Sequence, residues 1–243
     1  MDDVSAAKTL IASLDLTTLN TNDTEETVRA LCAKAVTPYG NVPAVCIYPR
    51  FIPFAKSNLP SGIKVATVIN FPSGLADLLL LEKEINAAVD FGADELDVVL
   101  PYRTLITGDT AFCAKYLAKA RELCGKKTLK IIIESGELKT VELIKKASLL
   151  CIEAQADFIK TSTGKTETSA TPEAANIILE TIKQSKKNIG FKASGGIKTL
   201  TDAKKYLTLA QSVMGASWVN ETHFRIGASS VLTNLLDTIK QGY

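Results

Sequence analysis

Three charged residues lie inside short apolar segments that are typical of buried β-strands. They are Asp97 in ELDVVL, Lys160 in DFIKTSTGK and Lys192 in IGFKASGG. A strand that is buried on both faces does not hold a charge without compensation. Burial and a second ammonium nearby both favour the neutral form of a lysine, which can attack a carbonyl carbon, and a carboxylate can move the protons. The three residues therefore predict a Schiff-base enzyme that breaks or forms carbon–carbon bonds without a metal.

A structural explanation for these charges is a buried salt bridge between Asp97 and one of the lysines. A pair of this kind could hold the strands together, and for each residue taken alone this alternative carries equal weight. The second lysine argues against it, because a further buried charge is costly and a simple pair does not need it. The combination therefore favours catalysis.

The elements that must position these residues form a regular series of apolar segments. The expected strands cover residues 42–48, 64–70, 95–100, 129–134, 157–161, 189–192 and 224–226, with a weaker candidate at 14–16. They recur at intervals of roughly 30 residues, the length of one βα unit. Eight such units predict a single (β/α)8 barrel domain over residues 1–243. An open doubly wound sheet is the alternative, and the lack of a GxGxxG motif after the first strand disfavours it.

Helix signals agree with this series. Thr171 precedes Pro172 and is expected to cap a helix, and Gly92 is expected to end the helix before the fourth strand. The last helix is expected to run to about Ile239. In the barrel, Lys160 and Lys192 would lie on neighbouring strands, toward the C-terminal ends where barrel active sites are found, with Asp97 across the mouth.

Three turns with small residues follow the late strands and are candidates for phosphate binding. They cover residues 162–165 (STGK), 194–196 (SGG) and 227–230 (GASS), and the last turn opens the final helix. Backbone N–H groups in such turns and at a helix N-terminus favour an anion, and Lys165 could add a charge. Ordinary turn formation is the alternative for each turn taken alone.

Composition excludes several other classes of function. The 28 basic and 26 acidic residues leave a net charge of +2 without long runs of one sign, so neither a nucleic acid nor a membrane partner is expected. The five cysteines are an odd number without CxxC spacing, and the N-terminus does not match a secretory signal, so a reducing cytoplasm is expected. With one histidine, His223, a multi-histidine metal site is excluded, and no metal or other cofactor is expected.

Three further residues are weaker candidates. Cys46 lies in the second strand and is interpreted as core packing, although it could lie near the barrel mouth. His223 precedes the eighth strand and is expected at the opposite end of the barrel, away from the chemistry. Glu134 ends the fifth strand and is either a partner for one of the lysines or a polar group at a strand end.

Seven motifs spread along the chain resemble those of the deoxyribose-phosphate aldolase family. They are 15–20 (DLTTLN), 45–53 (VCIYPRFIP), 70–74 (NFPSG), 94–103 (DELDVVLPYR), 158–165 (FIKTSTGK), 190–196 (GFKASGG) and 224–230 (FRIGASS). The resemblance implies a metal-free class I aldolase that reversibly splits 2-deoxy-D-ribose 5-phosphate into D-glyceraldehyde 3-phosphate and acetaldehyde, in deoxyribose phosphate catabolism. It also favours a homodimer.

The resemblance implies a role for each matching residue. Lys160 would be the Schiff-base lysine, Lys192 the lysine that tunes it, Asp97 the acid and base, and the C-terminal Tyr243 a proton-transfer group. Asp15, Thr17 and Thr163 would lie around the substrate. The phosphate side would comprise Gly164, Lys165, Gly195, Gly196, Ser229 and Ser230.

Two other functions remain open at this stage. A transaldolase or a larger sugar-phosphate aldolase would share Lys160 but accept a ketose donor. A non-catalytic barrel that binds sugar phosphates would keep the glycine turns but would not need two lysines beside Asp97.

Overall fold

The computed structural model describes residues 1–242, and their strands close into one parallel barrel in the order β1 to β8. The strands are β1 Leu14–Thr17, β2 Ala44–Ile47, β3 Lys64–Ile69, β4 Glu95–Val99, β5 Thr128–Ile132, β6 Phe158–Lys160, β7 Gly190–Ser194 and β8 Phe224–Ala228. β8 pairs with β1 and completes the ring. The predicted (β/α)8 barrel is therefore confirmed, including its weak first strand.

Helices surround the barrel on its outside. Within the described part of the chain they are α1 Asp3–Ile11, α2 Glu25–Lys34, α3 Ile52–Asn58, α4 Leu78–Asp90, α5 Tyr102–Ile106, α6 Thr110–Cys124, α7 Ser135–Leu138, α8 Val141–Glu153, α9 Pro172–Ser185, α10 Leu200–Met214 and α11 Val231–Gln241. α1 precedes the first strand and packs against α10 and α11. No helix among residues 1–242 is both long and apolar enough to cross a membrane.

The helix boundaries follow local chemistry. The Thr171 side chain accepts a hydrogen bond from Ala174 N–H and so caps α9, and Pro172 occupies its first turn, as predicted. Gly92, with φ +93°, follows the end of α4, also as predicted. The last helix extends two residues beyond the expected Ile239, to Gln241.

The barrel wall separates two environments. The main core lies between strands and helices and includes Val45, Ile47 and Val65. A second, small apolar cluster contains Leu19, Ala44, Cys46, Ala66 and Val68. Since successive strand residues point to opposite faces, this second cluster lies on the inner face of β2 and β3. The inner face of each of the other six strands carries at least one charged group, and these form the candidate site.

Candidate active site

Lys160, Lys192 and Asp97 meet inside the barrel. Lys160 is the last residue of β6 and lies directly beside Lys192 of β7 in the strand register. Both Nζ atoms lie 2.7 Å from the same oxygen of Asp97, Oδ2. All three side chains are buried, with Lys160 2% exposed. The structure therefore brings together the three residues that were selected from the sequence.

Two of these residues lie deeper than predicted. Asp97 and Lys192 are each the third residue of a five-residue strand, not near its C-terminal end. The expectation placed them at the barrel mouth, and the structure places them in the middle layer of the interior. Lys160 alone of the three ends its strand, so it is the amine closest to the C-terminal face.

The three residues belong to a larger set of buried charges, which we call the barrel network. Its members are Asp15, Glu95, Asp97, Lys130, Lys160, Lys192 and Arg225, and each is at most 6% exposed. Lys130 Nζ lies 2.8 Å from Asp97 Oδ1 and 2.5 Å from Glu95 Oε2. Lys192 also donates to Asp15, whose other oxygen accepts from Arg225 at 2.5 Å.

Asp15, which the resemblance implies to lie around the substrate, belongs to this buried network through Lys192. It is fully buried beneath the strand ends, held between Lys192 and Arg225, and does not line the pocket described below. Lys130, Glu95 and Arg225 were missed by the sequence analysis. They carry the signal that identifies Asp97, a charge within a buried strand. Lys130 is the third residue of its strand, as Asp97 is, whereas Glu95 and Arg225 are the first and second residues of theirs.

The network gives the lysines different proton affinities. Burial lowers the pKa of Lys160 below its ordinary value, Asp97 offsets part of this effect, and Lys192 lowers the pKa again. Burial also acts on Lys192, but Asp15 and Asp97 outweigh it and raise the pKa of this lysine. Lys160 is thus the lysine that gives up its proton more readily, as nucleophilic attack requires.

The carboxylate at the centre remains ionised. Burial alone would raise the pKa of Asp97, but Lys130, Lys160 and Lys192 together hold it well below its usual range. Asp97 is therefore a strong hydrogen-bond acceptor that all three ammonium groups share. A proton can pass between Lys160 and Lys192 through this carboxylate over short distances.

A pocket of about 220 Å³ opens at the C-terminal end of the barrel. We call it the rim pocket, and it is lined by residues 17–20 after β1, 163–165 after β6, 194–198 after β7 and 227–230 at the end of β8. Thr17, Thr163, Gly164, Lys165, Gly195, Gly196, Ser229 and Ser230 all belong to this lining. The structure thus groups the predicted phosphate-side residues with two of the predicted substrate-side threonines.

Glycines allow the loops around the rim pocket to pack closely. Gly195 has φ +89°, and a Cβ atom at this position would lie 2.6 Å from the Ser169 side chain and 3.1 Å from Gly164 Cα.

Gly227 lies inside β8, because this strand extends to Ala228 and the turn was predicted two residues too early. A Cβ on Gly227 would lie 3.0 Å from Lys192 Cε and 2.6 Å from Ser194 Oγ.

Glu134 supports the loop after β6. Its carboxylate accepts hydrogen bonds from the Thr163 hydroxyl at 2.5 Å, from the Thr163 N–H at 3.2 Å and from Thr166 at 3.3 Å. Burial raises the pKa of Glu134, although these hydrogen bonds oppose the shift. Its backbone has φ +52°, in the left-handed region. Glu134 is thus a polar group at a strand end that holds a loop, and its hydrogen bonds within residues 1–242 do not involve a lysine.

The remaining candidates have clear positions. Cys46 is fully buried in the inner apolar cluster, and burial raises the pKa of its thiol, which fits the packing interpretation. All five cysteines are free and buried. His223 precedes β8, at the end opposite to the rim pocket, and its ring contacts Asn188 and Asn220. Tyr243 lies outside the described residues.

Comparison with solved structures gives relatives of the same fold over nearly the whole chain. A deoxyribose phosphate aldolase from Aeropyrum pernix, described as tetrameric, shares 25% identity with a TM-score of 0.78, over 100% of this chain and 98% of its own. The aldolase QR15 shares 30% identity with a TM-score of 0.82, and the match covers 96% of this chain and 97% of QR15. A Toxoplasma gondii ME49 protein, provisionally assigned as deoxyribose-phosphate aldolase, shares 25% identity with a TM-score of 0.90. This match covers 98% of this chain and 97% of the other.

A sequence model of one enzyme family also matches most of the chain. The family is described as DeoC/LacD family aldolase, and the match covers residues 9–233. This range includes every member of the barrel network and every residue of the rim pocket. The chain therefore belongs to the DeoC/LacD family of aldolases, which are carbon–carbon lyases.

Proposed function

We propose that this aldolase reversibly cleaves 2-deoxy-D-ribose 5-phosphate into D-glyceraldehyde 3-phosphate and acetaldehyde through a Schiff base on Lys160. The observation that carries the proposal is the pairing of Lys160 and Lys192 on one oxygen of Asp97, 2.7 Å from each amine. The lowered pKa of Lys160 supports its assignment as the nucleophile. The raised pKa of Lys192 supports its assignment as the neighbouring cation.

The first half of the reaction forms the imine. The neutral amine of Lys160 attacks C1 of the open-chain aldehyde and gives a carbinolamine. Asp97 accepts a proton from the nitrogen as the amine attacks and returns it to the new alkoxide, which gives the neutral carbinolamine. Lys192 then supplies a proton to the departing hydroxyl, so that water leaves and an iminium remains. The ionised Asp97 stabilises this cation, which takes the place of the Lys160 ammonium.

The second half breaks the carbon chain. The C3 hydroxyl gives its proton to Lys192, which lost one in the first half, the C2–C3 bond breaks, and the electron pair of this bond moves toward the iminium nitrogen. D-Glyceraldehyde 3-phosphate leaves, and the enamine of acetaldehyde remains on Lys160. Protonation at C2 and hydrolysis of the resulting iminium release acetaldehyde and restore the amine. We propose Tyr243 as a proton donor at C2, on the family resemblance alone.

The rim pocket supplies a suitable place for the 5-phosphate. The loops after β7 and β8 and the N-terminus of α11 border it, and this is where barrel enzymes often bind phosphate. Backbone N–H groups near Gly195, Gly196 and Ser230 would meet the anion, helped by the helix dipole. Lys165 would add a positive charge at the edge. Thr17 and Thr163 would contact the sugar hydroxyls.

The decisive test is reductive trapping. The protein is incubated with 2-deoxy-D-ribose 5-phosphate and sodium borohydride, digested, and searched by mass spectrometry for modified lysines. A two-carbon or sugar-phosphate adduct on Lys160 is expected, and K160M is the matched control without an adduct. An adduct on Lys192 would exchange the roles of the two lysines. A folded protein without any adduct would favour the non-catalytic sugar-phosphate-binding barrel.

A substrate panel separates this function from that of other Schiff-base aldolases. Fructose 6-phosphate and fructose 1,6-bisphosphate are ketose donors and should give neither turnover nor adduct. Turnover of a ketose, without turnover of the deoxyribose phosphate, would favour the transaldolase or larger sugar-phosphate aldolase. We further propose that the enzyme acts in catabolism in the cytoplasm and that it forms a homodimer. Size-exclusion chromatography with light scattering measures the oligomeric state directly.

A further inference from the structure

Three of the seven members of the barrel network have no part in the proposed reaction. They are Lys130, which lies beside Asp97 in the strand register, and Glu95 and Arg225, which lie below it toward the N-terminal ends of β4 and β8. Glu95 and Arg225 line a second pocket of about 370 Å³, which we call the lower pocket, at the end of the barrel opposite to the rim pocket. Their side chains are 4% and 7% exposed, so they reach the lower pocket but belong to the interior. Burying three more charges is expensive, and a role is therefore expected for them.

The network contains one more cation than it has anions. The carboxylates are Asp15, Glu95 and Asp97, whereas the basic groups are Lys130, Lys160, Lys192 and Arg225. If one basic group is neutral, the charges balance. In a buried site this balance is favourable, because bulk water does not screen an excess charge there.

The number of ion pairs that each basic group makes indicates which group loses its proton most easily. Within residues 1–242, Lys130 lies within ion-pair distance of three carboxylates: Glu95, Asp97 and Asp15. Lys192 and Arg225 each contact two. Lys160 contacts one, Asp97, and shares the same oxygen with Lys192. The cation with the fewest anionic partners is the one that loses its proton at the lowest cost.

We propose that Glu95, Lys130 and Arg225 are positioning residues that fix the charge balance of the network. Because the network has one basic group more than it has carboxylates, one basic group can lose its proton, and these residues make Lys160 that group. Lys130 occupies Asp97 Oδ1 and leaves Oδ2 to the two upper lysines. Arg225 and Glu95 bond to each other at 3.3 Å, and Arg225 also holds Asp15. This inference rests on the proposed role of Lys160 and deepens it.

Charged and titratable groups lie in the barrel interior on several strands, and Asp97 links Lys160 to them. They are Asp15 on β1, Cys46 on β2, Glu95 and Asp97 on β4, Lys130 on β5, Lys192 on β7 and Arg225 on β8. The inner face of β3 contributes the apolar Ala66 and Val68. Cys46 remains a neutral thiol because burial raises its pKa. The sign of the charge near Lys160 is therefore set by the other members of the network.

The test removes one charge of either sign from among these positioning residues. In E95Q an anion is lost at constant size, and Lys160 should lose its proton more easily. In K130M a cation is lost, and the remaining network is balanced only when Lys160 is protonated. The measured quantity is the rate of the acetaldehyde adduct on Lys160, trapped with sodium cyanoborohydride, as a function of pH. We expect the midpoint of the E95Q profile to lie about one pH unit below wild type and that of K130M about one unit above.

Two controls separate charge from structural damage. The double variant K130M/E95Q removes one charge of each sign and should restore the midpoint of wild type. K64M removes an exposed cation from the wall of the lower pocket and should not move the midpoint. A structural defect would lower the trapping rate at all pH values without opposite shifts in the two single variants.

The outcomes distinguish this inference from the function on which it rests. A wild-type protein without an adduct on Lys160 would overturn the proposed function. A wild-type adduct together with unshifted midpoints in both single variants, or shifts of the same sign, would overturn the charge-balance role. If K130M does not fold, the isosteric E95Q decides, and a folded E95Q with the wild-type midpoint contradicts the inference.

Discussion

Lys160 and Lys192 lie side by side on β6 and β7, and each donates a hydrogen bond of 2.7 Å to the same Asp97 oxygen. Two ammonium groups this close compete for one acceptor. Lys192 has a second carboxylate, Asp15, whereas the ion pair of Lys160 within the described chain is with Asp97 alone. The competition therefore favours a charged Lys192 and a Lys160 that can become neutral.

Removal of the Lys160 amine should abolish activity without harming the fold. K160M is expected to lower kcat/KM for the deoxyribose phosphate by at least about 10³-fold, because the covalent intermediate cannot form. Its melting temperature should equal or exceed that of wild type, since the excess positive charge disappears. Acetaldehyde release and thermal unfolding measure the two effects. Retention of the wild-type rate would show that Lys160 is not the nucleophile.

The network should make stability sensitive to acid. The pKa values of Asp15 and Asp97 are lowered in the folded protein, chiefly by neighbouring cations that outweigh the effect of burial. A lowered folded-state pKa contributes stability that is present above the unfolded pKa, near ~4, and is lost as the pH falls below it. Chemical denaturation from pH 7 to pH 3 should therefore show a falling free energy of unfolding below about pH 4.

The variant D97N separates this effect from general acid damage. It leaves Lys130 and two further cations around a neutral amide. The free energy of unfolding at pH 7 should therefore fall by roughly 3–5 kcal/mol. Its unfolding free energy should then depend less on pH between 4 and 3 than that of wild type. An identical slope in both proteins would mean that other carboxylates cause the acid sensitivity.

A methyl group at Gly227 should disturb Lys192. The Cβ of G227A would lie 3.0 Å from Lys192 Cε and 2.6 Å from Ser194 Oγ, so both side chains must move. We expect kcat to fall by about 10- to 100-fold, because small displacements of catalytic groups are costly. Steady-state kinetics and a melting curve are the measurements.

Gly62 supplies the control for G227A. This glycine has φ +103° and no atom within 4 Å of an added Cβ, and it borders the lower pocket. G62A should cost about 1 kcal/mol of stability through backbone strain and leave kcat unchanged. Equal losses of kcat in both variants would argue against a specific effect on Lys192.

Glu134 should influence phosphate binding through the loop after β6, because it holds Thr163, which precedes Gly164 and Lys165 on the proposed phosphate side. In E134Q the amide nitrogen replaces one of the two oxygens that accept from the hydroxyl and the N–H of Thr163. The loop after β6 then loses a charge-assisted hydrogen bond. We expect the KM for 2-deoxy-D-ribose 5-phosphate to rise about 10-fold with a smaller change in kcat.

The unphosphorylated sugar tests this assignment. Turnover of 2-deoxy-D-ribose does not use the phosphate site, so E134Q should change its kcat/KM much less. E137Q, a neighbouring half-buried carboxylate on α7, is the matched control and should behave like wild type. A similar loss of kcat/KM with both sugars would show that Glu134 stabilises the active site as a whole and has no specific effect on phosphate binding.

The barrel and the identity of the central residues can be predicted from local patterns in the sequence. Apolar segments at intervals of about 30 residues predicted all eight strands, and Thr171 and Gly92 predicted helix boundaries, because period and capping are local properties. Asp97, Lys160 and Lys192 were recognisable because a charge in a buried strand is costly. The glycine turns were recognisable because barrel loops after late strands bind anions.

The contacts between the charges, in contrast, follow from the tertiary structure. Strand register places Lys160 beside Lys192 and Asp97 beside Lys130, and register depends on how the barrel closes, which a local pattern does not encode. Closure also brings Arg225 to Asp15, 210 positions apart in the chain. The proton affinity of Lys160 follows from these contacts, because a buried amine responds to the sum of its neighbours and not to its own residue type.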